Sequence, residues 1–155
     1  MKTIENDLKS LITFASEQVE EIFYHIGMVA PMYHAIKENG EILVFMMPDV
    51  SKDEAVDIVR FILDANRVES YVFIGEAWML HTLDVPVDVT GLSRHPDSRE
   101  AVMFSAENTR GEALTASRYI LRPEHGRATL TPLKFNKSVG HSEGRMVGLL
   151  KRRKK

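Results

Sequence analysis

At 155 residues, with 44% hydrophobic and 27% charged side chains, the chain has the profile of a folded protein with one ordinary core, and no apolar run reaches the roughly 20 residues of a membrane helix. Cysteine is absent, which excludes disulfides, thiolate metal sites and cysteine nucleophiles. The net charge of −2 conceals a split: up to Leu133 there are 12 Lys+Arg against 21 Asp+Glu, a net of −9, and from Lys134 onward 8 against 1, a net of +7.

The opening stretch Met1-Lys2-Thr3-Ile4-Glu5-Asn6-Asp7 is too acidic for a signal peptide, so the cytoplasm is the expected address. From Ile4, apolar residues recur at three- and four-residue spacing through Leu8, Leu11, Ile12, Ala15, Val19, Ile22, Phe23 and Ile26. This spacing predicts an amphipathic helix, and Gly27 supplies its C-terminal stop. Met32–Lys37 and Ile42–Met47 then flank Glu38-Asn39-Gly40-Glu41 and predict a hairpin. With Asn39-Gly40 as a two-residue type I′ turn, Ile36 faces Leu43, His34 faces Phe45 and Met32 faces Met47. Both faces are then largely apolar, which places the hairpin inside a sheet covered on both sides.

Pro48 ends that strand, and Ser51-Lys52-Asp53-Glu54 forms a capping box for a second helix that buries Ala55, Val56, Val59, Ile62 and Leu63. Val68–Leu80 reads as a strand rich in aromatic and branched residues. Thr82–Ser98, with Pro86, Gly91 and Pro96, reads as a long connection of the kind that often carries function. Three more strands are expected at Glu100–Ala106, Glu112–Leu121 and Ala128–Phe135, joined by turns at Asn108–Gly111 and Pro123–Gly126. The expectation is a single α+β domain over residues 1–150, in the order α-β-β-α-β-β-β-β. Its antiparallel sheet has about six strands, and a basic tail follows at 151–155.

Glu76 is the foremost candidate for chemistry. Strand alternation puts it on one face with Ile74 and Trp78, where a carboxylate is partly desolvated. Such a group has either a raised pKa, suiting it to general acid or base work, or a paired cation. Pairing to an arginine on a neighbouring strand is the commoner outcome. His34, on the hairpin, is a candidate proton carrier beside Glu76, although a lone histidine among apolar residues is more often a core residue. In the long connection, Arg94, His95, Asp97 and Arg99 form the densest polar cluster, suited to a phosphate or carboxylate, with an ordinary solvated turn as the competing reading.

The stretch Ser93-Arg94-His95-Pro96-Asp97-Ser98 lacks the first histidine of the His-x-His-Pro loop in JAMM-type metalloisopeptidases, and the six histidines show no metal-ligand spacing. No metal and no cofactor is therefore expected. The tail offers Arg145 and then Lys151, Arg152, Arg153, Lys154 and Lys155 as phosphate contacts for a nucleic acid, or as contacts to an anionic protein. Without interleaved aromatics such binding is blind to sequence, and a solubilising terminus is the alternative. Met146, Val147, Leu149 and Leu150, just before it, suggest a short apolar segment docking on the body.

Several stretches together carry a resemblance: Pro31-Met32-Tyr33-His34-Ala35, Glu76-Ala77-Trp78-Met79, His95-Pro96-Asp97-Ser98-Arg99-Glu100, Met103-Phe104-Ser105-Ala106-Glu107, Leu121-Arg122-Pro123 and Glu143-Gly144-Arg145-Met146-Val147-Gly148-Leu149-Leu150. The chain resembles, over most of its length, a group of uncharacterised proteins of bacteria and their mobile elements. The resemblance implies a shared domain. It brings no activity and assigns no catalytic residue. Two function classes thus remain: a non-catalytic binding or accessory protein acting through the basic tail, and a small metal-independent enzyme using Glu76 with His34 or the Arg94–Arg99 loop.

Overall fold

A computed structural model describes residues 7–80, 85–86 and 98–136. The first helix, α1 (Leu8–Ile26), is opened by Asp7, whose carboxylate accepts the Ser10 N–H at 2.6 Å. It closes at Gly27, which takes a left-handed φ of 82° while its N–H bonds to the Phe23 carbonyl. After it come β1 (Met32–Lys37), β2 (Ile42–Met46), α2 (Lys52–Ala65), β3 (Val68–Leu80), β4 (Val85–Pro86), β5 (Ser98–Asn108), β6 (Ala113–Leu121), β7 (Thr129–Leu130) and β8 (Lys134–Phe135). The fold is α+β, with two helices on an antiparallel sheet ordered β2-β1-β3-β5-β6-β7. Five of its strands are long. The sixth expected strand, Ala128–Phe135, is broken into β7 and β8, which both pair with β6, and the two-residue β4 pairs with β3 inside the stretch expected to be loop.

Alternation along the strands sorts the core into two layers. Leu11, Ile12, Ala15, Val19 and Phe23 of α1 pack on Met32, Ile36, Val72, Ile74, Val102, Phe104, Ala116 and Ile120. On the opposite face Val59 and Leu63 of α2 pack on Tyr33, Ala35, Val68 and Tyr71. A smaller cluster of Met79, Ala101 and Met103 continues that second face toward the far end of the sheet.

The first hairpin departs from expectation by one residue. Met32 opposes Met46, His34 opposes Val44 and Ile36 opposes Ile42. The cause is the turn. Gly40 alone among the turn residues has positive φ, at 88°, and Gly40 N–H bonds to the Lys37 carbonyl while Lys37 N–H bonds to the Glu41 carbonyl. This is a three-residue loop, a tight turn followed by a left-handed glycine, rather than type I′, which needs positive φ at both central residues. Asn39 Oδ1 favours it by accepting the Glu41 N–H at 3.0 Å.

A one-residue slip reverses every side chain of the strand. Leu43 and Phe45 therefore pack toward α2, while Ile42, Val44 and Met46 point to the α1 side, where they remain 41%, 49% and 53% exposed. The hairpin is thus not covered on both faces throughout: among the described residues β1 lies inside the sheet and β2 is its edge.

Candidate functional site

Glu76 shares the α1 face of β3 with Ile74 and Trp78, opposite Val102 of β5. At this end of the sheet α1 has already stopped at Gly27, so polar groups meet water. Trp78 opposes Glu100, and Arg122 follows directly on the end of β6. Arg122 Nε donates to the Glu100 carboxylate at 2.7 Å, Nη2 lies 3.8 Å from Glu76 Oε1, and Nη1 approaches the Gly27 carbonyl at 3.4 Å. The other Glu76 oxygen accepts the Val29 N–H at 3.0 Å. One guanidinium thus ties two strands to the turn after α1, and the Glu76 side chain retains only 27% exposure. A carboxylate engaged this way acts as an anchor between β3 and the turn after α1.

Beside this cluster lies an open cleft of about 480 Å³, lined by Trp78, Arg99, Glu100, Arg122, Pro123 and others. Trp78 is 39% exposed, and the Arg99 guanidinium lies 5.6 Å from the centre of the Tyr119 ring, within cation–π range. The cleft offers an aromatic surface in Trp78 and polar groups, two arginines and the Glu100 carboxylate that Arg122 already pairs.

His34 lies elsewhere. It opposes Val72 on β3, and Glu76 is four residues further along that strand, roughly 13 Å away at a rise of about 3.3 Å per residue. The ring is 2% exposed, meets Phe14 of α1 edge-on at 6.3 Å, and has no hydrogen-bond partner at Nδ1 or Nε2 among the described residues. Burial pushes its pKa down to about 4, so the ring is neutral at physiological pH. On the opposite face the Tyr33 hydroxyl is likewise buried without a partner among the described residues and its pKa is raised by desolvation, while its ring stacks on Phe45 at 4.9 Å.

The structure thus joins Glu76 to Arg122 and Glu100, brings Arg99 to the neighbouring cleft, and keeps His34 apart. Arg94, His95 and Asp97, together with Arg145 and Lys151, Arg152, Arg153, Lys154 and Lys155, lie outside the described residues, as does the apolar segment at Met146–Leu150. Among the described residues no group of three His, Asp or Glu side chains is placed to hold a metal, and no helix is long and apolar enough to cross a membrane.

Two arginines escaped the sequence reading. Arg122 enters the sequence reading only in the stretch Leu121-Arg122-Pro123, between a strand ending at Leu121 and a turn opening at Pro123, with no partner assigned. Arg118, 7% exposed, donates from Nη2 to Glu20 at 2.7 Å, from Nη1 to Ser16 Oγ at 3.2 Å and from Nε to the Thr131 carbonyl at 2.6 Å. A signal for it was present: Leu114, Ala116 and Ile120 share its alternation, and a cation on an apolar face demands a partner. Compared with family models, curated proteins and solved structures, the chain matches none.

Proposed function

We propose that the chain is a non-catalytic binding or accessory protein that contacts nucleic acid or a nucleoprotein through its basic C-terminal segment. The observation that carries the non-catalytic part is the placement of Glu76: one oxygen accepts the Val29 N–H, the other faces the Arg122 guanidinium at 3.8 Å, and His34 sits too far along the sheet to exchange a proton with it. A working acid–base pair needs both groups within hydrogen-bond reach of one reacting atom.

Charge supports the binding part. The body, net −9 up to Leu133, repels a phosphate backbone. The +7 segment from Lys134 onward is the place where an anionic polymer gains on contact, and each phosphate neutralised releases counterions. Binding of this kind is sequence-blind. A cytoplasmic address belongs to the same proposal.

The test is binding of single-stranded and duplex oligonucleotides by the full chain and by a version ending at Leu150, each across a salt series. The proposal expects binding that weakens steeply with salt and is lost on truncation. Equal binding by both forms, or none by either, overturns it.

A further inference from the structure

Edge strands are normally guarded by charge, proline or a bulge. The five residues of β2, Ile42-Leu43-Val44-Phe45-Met46, contain none of the first two, and their pairing with β1 runs without a register shift. Backbone bonds from Lys37 N–H to the Glu41 carbonyl and from Met47 N–H to the Pro31 carbonyl set the phase of the ladder. In an antiparallel pair hydrogen-bonded positions alternate, so Leu43 and Phe45 turn their backbone groups toward β1. Ile42, Val44 and Met46 therefore turn both N–H and C=O away from the sheet. These are also the residues whose side chains are 41–53% exposed on the α1 side.

We propose that β2 pairs antiparallel with β2 of a second copy of this chain, about a twofold axis through Val44, joining the two sheets into one. The geometry of the edge selects this occupant. With Val44 opposite its own counterpart, Ile42 falls opposite Met46 of the other copy, and every outward N–H and C=O finds its complement without a slip. The exposed side chains of the two copies then line up on one face as a single apolar stripe, and Leu43 meets Phe45 on the other face. No like charges are opposed, because the only flanking carboxylate, Glu41, falls opposite Met47 of the other copy. Such a contact is isologous and closes on itself, so it gives a dimer and not a filament.

The area sets its strength. Three half-exposed residues per copy fall short of the ~800 Å² per partner of a standard stable interface. The dimer is therefore weak, and the backbone bonds carry much of it.

The test is sedimentation of the full chain from about 5 to about 500 μM, alongside Val44→Glu, Val44→Lys and an equimolar mixture of the two. The expectation is a dimer fraction rising with concentration for the parent chain, monomers for each variant alone, and recovery of the dimer in the mixture, where opposite charges meet on the axis. Circular dichroism confirms that each variant is folded. Hydrogen exchange at the amides of Ile42, Val44 and Met46 identifies the occupant: slowing with concentration supports a second copy. A chain that stays monomeric throughout overturns the proposal, as does slow exchange at every concentration, which would place another segment of the same chain on the edge. Dimerisation undiminished in both variants overturns it too.

Discussion

Replacing His34 by leucine should stabilise the protein, and by more as the pH falls. The ring is buried with no partner at either nitrogen among the described residues, in surroundings formed by Phe14, Val44 and Val72. At neutral pH the substitution removes an unsatisfied donor and acceptor, worth about 1–3 kcal/mol. The acid effect is added to this. An ordinary histidine protonates near 6.5, while His34 in the folded chain waits until about pH 4. Between those values the unfolded chain holds the proton and the folded chain does not, so stability declines as pH drops from 6.5 toward 4. At about 1.4 kcal/mol per pH unit the full gap is worth about 3 kcal/mol.

Urea unfolding of the parent and of His34→Leu at pH 7, 6, 5 and 4.5 measures the difference directly. Every other ionisable group is common to both proteins, so its contribution cancels in the difference. The stability difference should widen by 2–3 kcal/mol, on the order of the full gap, between pH 7 and pH 4.5. Parallel curves would refute the reasoning, since they would mean that His34 protonates in the folded state as easily as in the unfolded one.

Other outcomes follow from single contacts. Arg118→Ala should cost about 3 kcal/mol by leaving Ser16 Oγ and the Thr131 carbonyl without their donor, whereas Arg118→Met, which keeps the aliphatic packing, should cost less because Glu20 is 59% exposed and rehydrates; thermal melts of both variants decide it. Arg67 has a left-handed φ of 52°, so Arg67→Gly should raise stability by up to about 1 kcal/mol, its exposed pair with Glu38 being worth little, and a rise in urea midpoint would show it. Asp7→Ala removes the N-cap of α1 and should cost about 1 kcal/mol in the same assay.

What could be read from the sequence followed period and punctuation. The spacing from Leu8 to Ile26 and the stop at Gly27 located α1, Ser51 located α2, and the aromatic run Val68–Leu80 was placed to the residue. The hairpin was found but mis-registered, because Asn39-Gly40 serves two turn types and only the hydrogen bond that closes at Lys37 distinguishes them. That one residue decided which side of β2 faces water. Sheet order was equally hidden: β5 inserts between β3 and β6, and this placement brings Arg122 to Glu76 and Glu100. Alternation did put Glu76 beside Trp78, but its partner came from a strand 46 residues further on.

The claim that binding resides in the tail, and that Glu76 is an anchor, is tested most directly by three proteins in one titration. These are the full chain, Glu76→Gln, and a variant with Lys151, Arg152, Arg153, Lys154 and Lys155 all changed to glutamine, each added to labelled oligo(dT) at rising salt. For the full chain the account predicts a log–log salt slope of about −3 or steeper, as expected when several phosphates are neutralised on a single strand. Glu76→Gln should match it, and the glutamine tail should abolish binding. Loss of binding in Glu76→Gln with the tail intact, or binding that ignores salt and survives the glutamine tail, would contradict it.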